Sequence, residues 1–183
     1  ILVVAAESPF ISQAEFKPDG EIDKLVLAKL ERLKVPPAQM CSDAVFVRRA
    51  YLDAIGTLPT PKEASDFLLS REPSKRATLI DRLLAREEFA DYWAMKWSDL
   101  LRVKAEFPIN LWPNAAQAYH RWIRTAIREN QPYDQFAREL LTASGSNFRV
   151  PPVNFYRGVQ DQQPATIAAA VALTFTGSSI DSW

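Results

Sequence analysis

Hydrophobic and polar positions recur along this chain with a helical period. IDKLVLAKLERL (22–33) places Ile22, Leu25, Val26, Leu30 and Leu33 on one face, the spacing of an amphipathic helix. Val35, Pro36 and Pro37 stop it, because proline has no backbone N–H and restricts the residue before it. SDAVFVRRAYLDAIG (42–56) repeats the pattern, with Val47, Ala50, Tyr51, Ala54 and Ile55 sharing a face. Ser42 is the expected N-cap and Gly56 the expected C-terminal glycine. Arg49 and Asp53 are four apart and can pair across one turn.

Thr60, Pro61 and Glu63 form the next helix start: a cap hydroxyl, proline at the first helical position, and a glutamate three residues after the cap. Pro73 ends that helix, and Ser74 is the expected cap of another with Leu79, Ile80, Leu83 and Leu84 inward. In REEFADYWAMKWSDLLRV (86–103), Phe89, Trp93, Trp97 and Leu100 form a stripe that Tyr92, Met95 and Leu101 widen. KAEFPINLWPN (104–114) is a proline-bearing break. Asn114 is expected to cap AAQAYHRWIRTAIREN, whose buried stripe is Tyr119, Trp122, Ile123, Ala126 and Ile127. QPYDQFARELLTASG (131–145) reads as a short helix carrying Phe136, Leu140 and Leu141. SNFRVPPVNFYRGVQDQQ (146–163) reads as loop, and PATIAAAVALTFTG (164–177) as a small-residue helix from Pro164 to Gly177.

The pattern predicts an all-α fold of about seven short amphipathic helices in an irregular bundle with proline-rich connectors. Residues 21–183 read as one helical domain and 1–20 as an irregular arm. Composition fits that picture: the 183 residues are 48% hydrophobic and 24% charged, which is globular rather than disordered. Five glycines and 13 prolines suit helices with rigid connectors better than tight β-turns. Lys plus Arg and Asp plus Glu are 22 each, so net charge gives no general attraction to nucleic acid, and no nucleic-acid partner is expected.

Candidate chemistry is sparse. Cys41 and His120 are single residues of their kind, which excludes an internal disulfide, a Cys/His zinc site and a Cys-x-x-Cys-His haem attachment within the chain. Cys41 is expected to be a small buried residue, and His120 a hydrogen-bonded surface or boundary residue. Glu87 and Glu88, and the run Asp19, Glu21 and Asp23, read as solvated helix faces. No phosphate loop, nucleophile elbow or His-Glu-x-x-His is present, so no catalytic residue, metal ligand or cofactor is expected. The start, ILVVAAESPF, is apolar and reaches small residues before Glu7, the layout of a signal-peptide end or the outer end of a membrane anchor. It points to an exported protein of the periplasm or cell surface, tethered at its N-terminus if the segment is an anchor; the alternative is an ordinary N-terminal strand or arm packed on the domain. Five tryptophans invite two readings: core packing, or anchors for a protein partner. The partner-interface candidates are Trp97, Trp112 and Trp183, with Arg121, Arg124 and Arg128 along one side of their helix.

FVRRAYLDAIGTLPTPKEASDFL (46–68), FADYWAMKWSDLLR (89–102) and QPYDQFARELLTASGSNF (131–148), preceded by IDKLVLAKLERL, form an ordered set. The set resembles the planctomycete cytochrome-associated domain family, a domain of unknown function numbered fifteen-forty-nine, from Ile22 to Trp183. The resemblance implies an exported domain, often beside cytochrome-c-like domains, with no established biochemical role. Many members carry a Cys-x-x-Cys-His stretch after the small-residue helix. Ser178, Ser179, Ile180, Asp181 and Ser182 stand there in this chain, making it a variant without that stretch. Three functional expectations follow: a non-catalytic module docking onto a larger assembly such as a periplasmic-side electron-transfer or membrane complex; a fragment of a carbohydrate-active or other hydrolytic enzyme, with Asp99 or Asp134 as candidate carboxylates; or a cytoplasmic regulatory helical domain.

Overall fold

The computed structural model describes residues 18, 20–38, 40–106, 111–159, 161 and 163–180. The expected export segment, Ile1–Ala6, lies outside them, as do Asp19 and Trp183. The described residues hold nine α-helices and no strand, which makes the protein all-α. They are α1 (Glu21–Leu33), α2 (Asp43–Ile55), α3 (Pro61–Leu69), α4 (Lys75–Leu84), α5 (Glu87–Leu100), α6 (Pro113–Arg128), α7 (Tyr133–Thr142), α8 (Asn154–Arg157) and α9 (Pro164–Thr176). The chain divides into two compact units, Ile1–Phe46 and Val47–Trp183.

In the first unit, α1 ends at Lys34, whose φ of 55° is left-handed. Lys34 N–H bonds to the Glu31 carbonyl and Val35 N–H to the Leu30 carbonyl, the double closure of a Schellman motif. No α1 residue is buried, and Ile22, Leu25, Val26 and Leu33 are exposed. Cys41 is also exposed, contrary to the expected burial, because it lies in the extended segment ahead of α2 rather than on a core-facing helix.

In the second unit the core is built on α5 and α6, the most extensive helix pairing in the chain. The buried residues of α5 are Ala90 and Ala94, not the expected tryptophan stripe. Trp93 and Trp97 are half-buried and Leu100 is exposed, whereas Leu101 is fully buried. Small side chains let α5 lie close to α6, whose buried face is Ala115, Ala116, Ala118, Tyr119, Ile123 and Ala126. The large rings are displaced to the flanks. Ala94, Leu101, Leu111, Tyr119, Ile123, Phe136, Leu140 and Phe155 belong to one buried cluster.

Several helix ends differ from expectation. α6 starts at Pro113 with Trp112 as N-cap, so Asn114 lies inside the helix and caps nothing; Pro113 at the first position supplies the fixed φ and needs no donor. Ser74 occupies the α4 N-cap without a side-chain capping bond. Ile80 and Leu84 of α4 face solvent, with only Leu79 and Leu83 buried. Residues 146–163 are not loop throughout: Pro151–Val153 form a 3-10 turn leading into α8. Asn154, fully buried, organises this segment by donating from Nδ2 to the Asn147 and Pro151 carbonyls, each at 2.9 Å.

The Thr60 start of α3 forms as expected. Thr60 N–H and Oγ–H both donate to Glu63 Oε2 at 2.8 Å, and Glu63 N–H donates back to Thr60 Oγ1 at 3.3 Å. Arg86 Nη1 donates to Glu63 Oε1 at 2.8 Å, tying α3 to the start of α5. These bonds, the Thr60 backbone N–H foremost, lower the Glu63 carboxyl from 4.5 to about 2. A carboxyl held low contributes stability in full above 4.5 and loses it as the pH falls toward 2. Acid titration followed by thermal unfolding is therefore expected to show stability dropping through that window, with a smaller drop in Glu63→Gln.

Gly56 ends α2 with φ +72°, and a Cβ there would run into the Tyr92 ring. Gly56→Ala combines left-handed strain with overpacking and is expected to destabilise the second unit by at least about 2 kcal/mol in denaturant unfolding.

Candidate functional site

The flank of the α5–α6 pair opens into a cleft of about 210 Å³ closed on its far side by α7. Its walls carry Phe89, Trp93 and Trp97 from α5 and Tyr133 and Phe136 from α7, with Ala126 and Ile127 at its floor. The rings pack on one another. Trp97 lies 5.3 Å from Phe136 at 65° and 6.1 Å from Tyr133 at 42° between centroids and planes, the tilted arrangements aromatic quadrupoles favour. Behind them Trp122 stacks on Phe136 at 4.9 Å and donates from Nε1 to Glu139. Trp93 is fixed by its own Nε1–H donating to the Ala54 carbonyl at 3.1 Å. Trp97 lines the cleft, and its Nε1–H meets no acceptor among the described residues.

The rim is supplied by the end of α6. Asn130 has φ 49° and stands at the left-handed position after the helix. Its N–H bonds to the Ile127 carbonyl and the Gln131 N–H to the Ala126 carbonyl, again a Schellman closure, where asparagine is the usual alternative to glycine. That turn sets two primary amides beside the rings. Gln131 Nε2 donates to Glu139 Oε1 at 2.8 Å, leaving its amide oxygen as an acceptor.

The other candidates are scattered along α6. Trp112, 72% exposed, precedes α6 at the end opposite the cleft rim. Arg124 is engaged within the domain: its Nη2 meets Glu87 at 2.7 Å and its Nε meets Asp91 at 2.5 Å. The bonds to Asp91 and Glu87 raise its pKa. Glu87 therefore links α5 to α6, whereas Glu88 pairs locally with Arg86 at the start of its own helix. Arg128 pairs with the adjacent Glu129 at 3.4 Å, and Arg121 is exposed. His120 is half-buried at the edge of the stripe, and no hydrogen bond of its side chain is seen among the described residues.

Sequence reasoning missed a buried polar group. Tyr119 is fully buried, and burial pushes its phenol well above the ordinary value while the Arg102 guanidinium pulls the other way. Among the described residues Tyr119 Oη, Arg102 Nη1 and Asn154 Oδ1 are buried without a protein partner. Tyr119 reads from sequence as an ordinary core aromatic, so nothing in the pattern marks its hydroxyl. Asp99 and Asp134 line neither the aromatic cleft nor the two hollows beside α3 and α4. No group of three or more metal-ligating side chains occurs among the described residues, and none of their helices is long and apolar enough to cross a membrane.

The model of the family PSCyt2, described as a protein of unknown function (DUF1549), matches residues 21–177. The chain belongs to this family. The DUF1549 match begins at the first residue of α1 and ends at Gly177, the left-handed cap of α9, so it takes in the cleft and every described helix. No curated protein and no solved structure matches this DUF1549 chain.

The Arg124 pairs bridge the start of α5 to the end of α6. Arg124→Met is expected to lower the melting temperature more at low salt than at high salt, whereas Arg121→Met changes it little; thermal scans at two ionic strengths check both.

Proposed function

We propose that this chain is an exported, non-catalytic helical module that docks through α9 onto an apolar helix of a protein partner. The setting proposed for it is a larger assembly on the periplasmic side, of the electron-transfer or membrane-bound kind. The observation that carries the reading is the surface of α9. This 13-residue helix is the most apolar of the chain, yet Ala170 is its one buried residue. Val171 and Phe175 lean on the core. Ala165, Ala168 and Leu173 remain exposed, and a helix that is apolar nearly all round is ordinarily covered. Alanines along a face permit a second helix to approach closely, which is why a helix is the partner chemistry proposed.

The apolar stretch Ile1–Ala6 supports export. The family resemblance to domains found beside cytochromes supports membership of a larger assembly. The exposed Trp112 offers a further anchor of the kind interfaces favour.

Site-specific photo-crosslinking in the native host tests the reading. A crosslinker at Leu173 is expected to trap one defined partner chain, identified by mass spectrometry, and a crosslinker at the exposed Arg71 is expected not to. Leu173→Lys should release that partner while leaving helical content unchanged. Equal trapping from both positions, or none from Leu173 in intact cells, would sink the proposal.

A further inference from the structure

The aromatic cleft is separate from α9, and its chemistry can be read independently of any docking role. We propose that it binds one neutral pyranose ring, the uncharged sugar unit of a glycan or glycoside. Three features select this ligand class.

The first is size. A dry cavity of about 150 Å³ accommodates a benzene molecule, so about 210 Å³ holds a single substituted six-membered ring. Pockets for drug-sized ligands start near 300 Å³, and an extended proline-rich segment advances about 3.1 Å per residue and needs a longer groove.

The second is the division of the lining into faces and amides. Trp97 and Tyr133 contribute rings to the lining, and an aromatic ring is the surface against which the C–H-rich side of a pyranose packs. Trp93 is locked in place by its bond to Ala54, so it is a preformed wall. The polar groups of the lining residues are an indole N–H on Trp97, an amide on Asn130 and the amide oxygen of Gln131, donors and acceptors of the kind that suit ring hydroxyls.

The third is charge. The cleft lining contains no carboxylate, lysine or arginine. Aromatic walls of this kind also suit quaternary ammonium groups, but Lys96 Nζ already lies 5.8 Å from the Trp93 ring centroid and 4.7 Å from that of Tyr92. A resident ammonium on the same wall opposes a second cation. A neutral ligand meets no such penalty.

Saturation-transfer NMR with methyl β-D-glucopyranoside, methyl β-D-galactopyranoside and methyl β-D-xylopyranoside provides the test, with tetramethylammonium and a tetraproline peptide as competitors. Saturation of the ring C–H protons of at least one glycoside is expected, lost in Trp97→Ala. Asn130→Gly keeps the left-handed turn that glycine favours and removes the amide. It should therefore fold normally and weaken binding about threefold to tenfold, the worth of one hydrogen bond. If Trp97→Ala fails to fold, Asn130→Gly decides the matter. The proposal is overturned if no glycoside saturates, if binding is indifferent to Asn130→Gly, or if tetramethylammonium or the peptide displaces the glycoside at lower concentration than a second glycoside does.

Discussion

The close approach of α5 and α6 governs the geometry of the second unit. Ala90 and Ala94 on one helix, and Ala116 and Ala126 on the other, leave little between the two backbones. Arg124 fixes the rotation and slide of the pair by reaching Glu87 and Asp91 across it. Because the start of α5 thereby faces the end of α6, the two helices run antiparallel. With alanines filling the seam, the tryptophans have no room there and move to the flanks, where α7 meets them. The aromatic cleft follows directly from that exclusion of large rings from the helix seam.

Helix ends are the second organising element. The chain has only five glycines, and Lys34, Arg102 and Asn130 take the left-handed position after α1, α5 and α6 instead. Each closes with the same pair of backbone bonds, Arg102 N–H to the Asp99 carbonyl and Val103 N–H to the Ser98 carbonyl in the α5 case. A side chain in that conformation carries a strain that glycine avoids, but it also adds a functional group where the chain turns. At Asn130 the group is an amide beside aromatic rings; at Arg102 it is a guanidinium near the buried Tyr119 phenol. Prolines complement this by opening helices: Pro61, Pro113 and Pro164 each stand at a first helical position.

The surface divides its labour accordingly. The α6 arginines do not act as a unit, since Arg124 is held by two carboxylates while Arg121 faces solvent. Trp97 lines the cleft and Trp112 stands outside it ahead of α6, so they belong to different surfaces. The cleft is an open, ring-sized space with an uncharged lining, whereas α9 is a broad apolar face. A small ligand suits the first and a helix the second, which is why the two proposals can stand or fall separately.

The sequence by itself determined the all-α class, the family, and those helix ends whose signals are local. The Thr60–Glu63 capping box, the Gly56 and Gly177 terminators and the 164–177 helix could be read because each depends on residues within one turn. The tertiary structure alone decided which apolar residues enter the core. Periodicity marks a wide apolar face on α5 but cannot say that alanine rather than tryptophan will sit at the crossing point, since that depends on the partner helix. It also decided the fate of residues 146–163. Their prolines and polar side chains read as loop, yet Asn154 satisfies carbonyls seven and three residues back and lets Phe155 enter the core. Hydrogen bonds and packing between distant segments leave no periodic trace, so the cleft and the buried Tyr119 hydroxyl become visible only once α5, α6 and α7 are brought together.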